Sequence, residues 1–193
     1  MVRDYQKERS DKTRQEILDT ALAIGLEEGF PAVSVRKISK RMNYSTGVIY
    51  HYFVDRQEII DEIEKAQFDW LDQEIRSILT DKDDIFEMIH GVFYRMMQLA
   101  YEESEKYMLI VTRKYSRKST GTSPRLAMLA RHLEKAMSDG RIRPSDPERT
   151  AFAIWSSFHG FHLMLSRLPD LTFDEAKARF QVEFDIVTRG LLP

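Results

Sequence analysis

Ser34–Arg56, SVRKISKRMNYSTGVIYHYFVDR, decides the fold. Val35, Ile38 and Met42 recur at helical spacing behind Ser34, a residue type that caps helix N-termini. Asn43 suits a left-handed turn position. Ser45 can cap a second helix running through Tyr50 to about Phe53, and Asp55 with Glu58 has the form of a capping box for a third. Two short helices joined by a tight turn make a helix-turn-helix. No Asp or Glu lies between Glu28 and Asp55, although the whole chain has a formal net charge of -2. Arg36, Lys37, Lys40 and Arg41 therefore sit in an acid-free stretch, on or near the outer face of their helix.

The second helix of the motif has the chemistry of a recognition helix. Ser45, Thr46 and Gly47 lie at its start, where backbone N–H groups and the positive end of the helix dipole favour an anion. Gly47 has no side chain to hold the backbone off a groove. Tyr50, His51 and Tyr52 offer hydroxyl and imidazole donors to phosphates, while Ile49 and Phe53 face inward. Arg56 can pair with a further phosphate, and Ser34 and Arg36 can hold the opposite strand. A small helical core with a solvated basic face has the same spacing, so spacing alone leaves both readings open.

Working outward, Ile17, Leu18, Ala21, Leu22 and Ile24 mark a preceding helix capped at Asp11 and stopped by Gly29 and Pro31. Gly25 weakens it by about 1 kcal/mol relative to Ala. Met1 to Ser10 reads as a frayed polar arm. On the other side, the helix from Asp55 continues through Ile59, Ile63, Trp70, Ile75 and Ile78 to about residue 79, a connector shared by two domains, 1–56 and 57–193. Further helices are expected over Ile85 to about Ser104, Tyr107 to Tyr115, Pro124 to about Gly140, Pro147 to before Pro169, and from Thr172, whose Glu175 completes a capping box. Ser116 to Ser123, with Arg117 and Lys118, reads as a mobile surface loop, and Arg113 and Lys114 as solvated. With no strand pattern, repeat or glycine-rich phosphate loop, the expected class is all-α.

Composition excludes several functions. The 193 residues contain no cysteine, so disulfides, thiolate metal sites and thiol nucleophiles are absent. No apolar run approaches the roughly 20 residues that span a bilayer, no signal peptide is expected, and the setting is read as cytoplasmic. His159 and His162 lie three apart on one helix, with His90 and His132 elsewhere, but without neighbouring carboxylates no metal site or cofactor is expected.

The run Thr13-Arg14, Ile17-Leu18, Ala21, Gly29-Phe30, Ser34-Val35, Ile38, Ser45-Thr46-Gly47 and Ile49-Tyr50-His51-Tyr52-Phe53 closely resembles the amino-terminal DNA-binding domain of the TetR/AcrR family. The resemblance covers about the first third of the chain, and the S-T-G-x-I-Y-H-Y-F string makes it specific. It implies a two-domain all-α homodimer, an amino-terminal three-helix domain for DNA and a carboxy-terminal domain that binds a small effector and alters operator binding. It also implies DNA contacts from Ser34, Arg36, Tyr44, Ser45, Thr46, Gly47, Tyr50, His51, Tyr52 and Arg56. Three positions depart from the family pattern: Gly25 stands for a usual core Phe, Asn43-Tyr44 for Gly-Val, and Arg56 for Lys. Tyr44 either reaches the groove or packs as core.

The carboxy-terminal half carries the resemblance only in its architecture. Its last two helices look like the family's dimerisation pair, with Phe158, Phe161, Leu165, Phe173, Phe180, Phe184 and Val187 expected at the interface; the stripe Phe173, Ala176, Phe180, Phe184, Val187, Leu191 is equally an intramolecular core. Phe93, Met97, Tyr101, Tyr107, Met108, Val111, Trp155 and His159 could line a cavity for a largely apolar or aromatic effector. The expected function is a DNA-binding regulator, a repressor or an activator of the same fold. An enzyme using His90, His159 or His162, or a helical interaction module, leaves the acid-free basic stretch unexplained.

Overall fold

The computed structural model describes residues 2–80, 82–112, 124–168 and 170–193. Among these the chain is all-α: α1 (Val2–Glu28), a 3-10 turn (Phe30–Ala32), α2 (Val35–Met42), α3 (Thr46–Tyr52), α4 (Arg56–Thr80), α5 (Ile85–Glu102), α6 (Ser104–Thr112), α7 (Pro124–Ser138), α8 (Pro147–Leu165) and α9 (Phe173–Arg189). The expected surface loop, Ser116 to Ser123, lies outside the described residues, as do residues 113–115, the end of the helix expected to Tyr115, and Pro169. No described helix is long and apolar enough to cross a membrane.

The chain divides into two compact units, and the divisions fall inside helices. Unit 1 takes residues 1–69 and the segment from Leu109; unit 2 takes Trp70–Met108 and the chain from Thr120. Thus α4 and α6 each contribute to both units.

In unit 1, Ile17, Ala21, Ile24, Phe30, Ile38, Ile49, Ile59 and Ile60 are wholly buried together with Leu109 of α6. Local signals produce this geometry. Ser34 accepts a hydrogen bond from the Lys37 amide (3.2 Å), and Asn43 adopts the left-handed conformation at φ 56°. Asp55 accepts from the Glu58 amide (2.9 Å) while the Glu58 carboxylate accepts from the Val54 amide (2.6 Å), a capping exchange displaced by one residue. Two expectations are corrected. The polar residues before Asp11 contain no breaker, so α1 extends back to Val2 and Asp11 lies inside the helix rather than at its cap. Gly25 is a fitted position: a Cβ there would lie 2.6 Å from the Phe30 ring, so the missing side chain lets Phe30 pack directly on α1.

In unit 2, Asp146 and Thr172 cap α8 and α9, the second with the complete capping box. The centre is aromatic. Phe93 of α5 stacks on Phe158 of α8 with ring centroids 4.2 Å apart, and Phe180 of α9 packs edge-on to His90 and Tyr94. The stripe of α9 faces this centre, with Ala176, Phe180 and Leu191 buried.

Candidate nucleic-acid interface and effector cavity

The helical register of α3 separates two sets of side chains. Ile49 and the following Phe53 are buried, and Tyr52 packs partly against the same core. Ser45, Thr46, Gly47, Tyr50 and His51 are exposed, as is Tyr44 (39%), so Tyr44 is not core. Ser45 occupies the N-cap position, but its hydroxyl makes no capping hydrogen bond, unlike Ser34. Its hydroxyl therefore remains available to an outside acceptor or donor. Gly47 is exposed, and a Cβ there would meet nothing closer than the Ser45 hydroxyl at 3.6 Å. The fold thus leaves Gly47 unconstrained, and its smallness matters only to what approaches from outside.

The basic residues of α2 are not equivalent. Lys37 pairs with Glu28 at 2.5 Å, and Arg41 makes a bidentate pair with Glu27 at 2.6 and 2.7 Å. That pair holds the Glu27 carboxyl below its ordinary pKa through the hydrogen bonds from Arg41. Arg36 and Lys40 are exposed and form no ion pair among the described residues. The acid-free stretch is therefore partly neutralised by the end of α1, just upstream of it in sequence.

Arg56 is engaged within the fold. Its guanidinium donates to the carbonyls of Val33 (2.6 Å) and Phe30 (2.7 Å), tying the start of α4 to the turn that leads into α2. An Arg fork can hold two acceptors at once, which a Lys ammonium cannot do in the same planar geometry. These bonds make the side chain a tie that orients the motif. Arg14 is likewise committed, pairing with Glu62 and lying 4.7 Å over the Phe53 ring.

Seven of the eight residues expected around an effector belong to unit 2, and two of them, Phe93 and Trp155, line one cavity. Phe93 and Trp155 do meet, with centroids 5.8 Å apart, and both line a cavity of about 30 Å³, room for about two waters. Met97 is core, and Tyr101 donates its hydroxyl to the Leu171 carbonyl at 3.0 Å. Tyr107 is fully buried and lies 3.1 Å from Nδ1 of His159; burial pushes the Tyr107 hydroxyl pKa well up and the His159 pKa down. His162 is enclosed by the rings of Phe93, Tyr107, Phe158 and Phe161. Burial, helped by His159, drags its pKa down to about 3, so it is neutral at physiological pH. Met108 and Val111 lie on α6 on either side of the division between units. Among the described residues no three His, Asp or Glu side chains gather as metal ligands.

The cavity walls include Ile75 and Leu79 of α4, Met88 of α5 and Met128 of α7, with two polar groups, Arg125 and His132. Sequence reasoning passed over Arg125. Its signal was its phase: positions 125, 128, 129 and 132 share one helical face, so a lone Arg interrupts an apolar row. Arg125 is 4% exposed and pairs with Asp72 at 3.5 Å; Asp72 also accepts from Arg76 at 3.0 Å.

The expected interface residues differ in how far this single chain covers them. Phe158, Leu165 and Phe180 are buried within this single chain, and Phe161, Phe173, Phe184 and Val187 are partly covered by it. Their stripe packs inward because the aromatic centre of unit 2 claims it. The opposite faces of α8 and α9 instead expose Met164 (70%), Val182 (59%) and Ile186 (64%), beside a groove formed by Phe161, Leu168 and Ala178.

Residues 17–63 match the family model of bacterial regulatory proteins, tetR family. Over 139 residues the chain is 25% identical to the HTH-type transcriptional repressor KstR2 of Mycobacterium tuberculosis H37Rv, covering 68% of this chain and 70% of that one. A solved structure of a protein of unknown function from Rhodococcus sp. RHA1 superposes with a TM-score of 0.74 at 20% identity, covering 93% of this chain and 95% of that one. AibR, solved with isovaleryl coenzyme A and operator DNA, superposes with a TM-score of 0.67 at 19% identity over 93% and 98% of the two chains.

Proposed function

Because the chain belongs to the tetR family of bacterial regulatory proteins, we propose that it is a sequence-specific repressor, released from its operator by a small, largely apolar effector. The observation that carries this reading is the two-sided α3: Ile49 is buried with Phe53, while Ser45, Thr46, Gly47, Tyr50 and His51 remain exposed on the helix and its cap. Short hydroxyl groups, a glycine and aromatic donors on a supported helix suit close approach to a major groove. Tyr44, Ser34, Arg36 and Tyr52 flank that surface, and Arg56 acts by positioning.

The operator is read by two copies, since a palindromic site presents half-sites about 34–36 Å apart. The exposed apolar faces of α8 and α9, centred on Met164, Val182 and Ile186, support self-association better than the inward stripe does. The effector occupies the cavity walled by Phe93 and Trp155. It acts by binding one arrangement of unit 2 more tightly than another; an effector of equal affinity for both would shift nothing. α4 and α6, which contribute to both units, are the physical route for that bias.

Selection of bound sites from random DNA, followed by gel shifts across a salt series, tests the reading. Specific binding that falls steeply with salt is expected. Tyr50→Ala should weaken it by about 5- to 150-fold, the range for losing about 1–3 kcal/mol of contact, with dimerisation unchanged. Wild-type affinity in Tyr50→Ala would remove that residue from the interface, and failure to select any site would remove the function.

A further inference from the structure

The effector cavity of unit 2 is walled by apolar side chains apart from Arg125 and His132, and the fold treats these two differently. Arg125 pairs with Asp72 at 3.5 Å and is engaged further within the fold, so its charge is answered by the protein itself. His132 lines the same cavity and is partly covered, yet it forms no hydrogen bond or ion pair among the described residues. From this arrangement, and resting on the reading of the cavity as an effector site, we infer that the effector is an uncharged alcohol or phenol whose hydroxyl meets the His132 imidazole while its hydrocarbon part lies among Phe93, Met88, Met128 and Trp155.

Charge balance, position and hydrogen-bonding capacity each bear on the assignment. A carboxylate entering the cavity would leave water with no free cation to receive it, because the Arg125 guanidinium already has Asp72. Burial, with Arg131 and Lys135 nearby, lowers the His132 pKa, so the imidazole is neutral and supplies no second charge. An ammonium fares no better: no acidic side chain lines the cavity, and Asp72 serves both Arg125 and Arg76. His132 lies seven residues beyond Arg125 on α7, about 10 Å along the helix, which sets the ligand's polar end two turns away from the ion pair. A neutral imidazole has one ring nitrogen that donates and one that accepts. A hydroxyl does both, so it fits either tautomer, whereas a carbonyl fits only the donor. A bare hydrocarbon suits the walls but covers the imidazole without giving it a partner, and a covered polar group left unpaired is costly. Entry requires the narrow cavity to widen. The thioether side chains of Met88 and Met128 are the adaptable walls, because Met repacks with little strain.

Trp155 lines the cavity and the chain has only two tryptophans, so Trp70→Phe leaves a single reporter at the site. Quenching of Trp155, excited beyond the absorption of phenols, should be titrated at pH 7.5 with para-alkylphenols, the matching alkylbenzenes and phenylalkanoic acids of equal length. Phenols are expected to bind at least about tenfold more tightly than the acids, a difference of about 1.4 kcal/mol. His132→Phe should weaken phenol binding about fivefold relative to the alkylbenzene, or about 1 kcal/mol, the scale of one hydrogen bond. His132→Asn should keep part of that preference. The comparison of phenols with acids needs neither variant and stands even if both fail to fold. Acids that bind as tightly as phenols, a phenol-to-alkylbenzene ratio unchanged in folded His132→Phe, or no quenching by any phenol overturns the inference. A gel shift on the selected site, run with the same ligands, separates this failure from that of the regulator. Intact DNA binding with no effect of any phenol rejects the ligand class alone, whereas absent DNA binding rejects the regulatory reading.

Discussion

Units 1 and 2 are built from the same kind of helix and dispose of their unusual residues in opposite ways. Unit 1 buries an unbroken apolar core and exposes hydroxyls, aromatic donors and the cations Arg36 and Lys40, which form no ion pair among the described residues. Unit 2 exposes Met164, Val182 and Ile186 while burying Arg125 and His162. In the first, whatever would interfere with packing has been moved outside, where it can touch DNA. In the second, apolar surface is left uncovered and polar groups are kept inside, at a cost in stability that packing must offset. A residue out of place for folding is thus a better guide to function in unit 2, and a residue simply left over by folding is the better guide in unit 1.

The largest effect expected from this contrast lies on the exposed apolar face. Placing a charge at its centre with Ile186→Glu, or with Val182→Glu, should shift the protein to monomer. An uncompensated charge in a buried interface costs about 3–5 kcal/mol, more than a hundredfold in self-association. Analytical ultracentrifugation with a gel shift reads it: monomerisation should abolish palindromic operator binding while unit 1 keeps its helicity. A dimer of undiminished strength in both variants would mean that the face is not the interface, and the contrast between the units would lose its second half.

A smaller effect comes from inside unit 2. His162 has a folded-state pKa of about 3 against an ordinary value of 6.5. Between those values the unfolded chain binds the extra proton, so stability is full above about pH 6.5 and is lost progressively as pH falls toward 3. The slope approaches about 1.4 kcal/mol per pH unit, or about 2 kcal/mol between pH 6.5 and 5. His90, His132 and His159, whose pKa values burial also lowers, add to the loss in the same direction. Denaturant titrations at pH 7.5 and 5 should therefore show His162→Phe losing about 2 kcal/mol less than the parent. An unchanged loss would mean that His162 can be hydrated in the folded state.

These two regions were unequally legible in sequence. The motif from Ser34 to Phe53 could be read because its determinants are local: a cap, a left-handed Asn and an apolar phase that fixes which residues remain outside. Arg56 could not, because its partners are the carbonyls of Phe30 and Val33, more than twenty residues away. Gly25 looked like a weakness for the same reason, since only the fold brings the Phe30 ring over it. In unit 2 periodicity located the stripe of α9 but not whether it is covered within the chain. An apolar stripe is needed in either case, and the choice depends on where α5 and α8 place their own rings. The cavity was half seen: Phe93 and Trp155 were legible as aromatic residues on central helices, whereas Arg125 reads as an ordinary surface cation until burial is known.

The smallest effect is the sharpest for unit 1, because it asks whether ion pairs seen in the fold are kept on DNA. Each Lys or Arg that neutralises a phosphate adds about 0.9 to the slope of log affinity against log salt. Arg36 is exposed and uncommitted among the described residues, so Arg36→Gln should lower that slope by about 1. Arg41 is held by both oxygens of Glu27. Removing the pair together, as Glu27→Gln with Arg41→Gln, changes the local charge by zero and should leave the slope within about 0.3. The double substitution matters, because Arg41→Gln alone would free the Glu27 carboxylate to repel phosphate and weaken binding without any lost contact. A slope that falls equally in Arg36→Gln and in the double variant would show that Arg41 abandons Glu27 for the backbone. The acid-free stretch would then act as one basic surface on DNA, and the division of its cations into committed and available would hold only in the free protein.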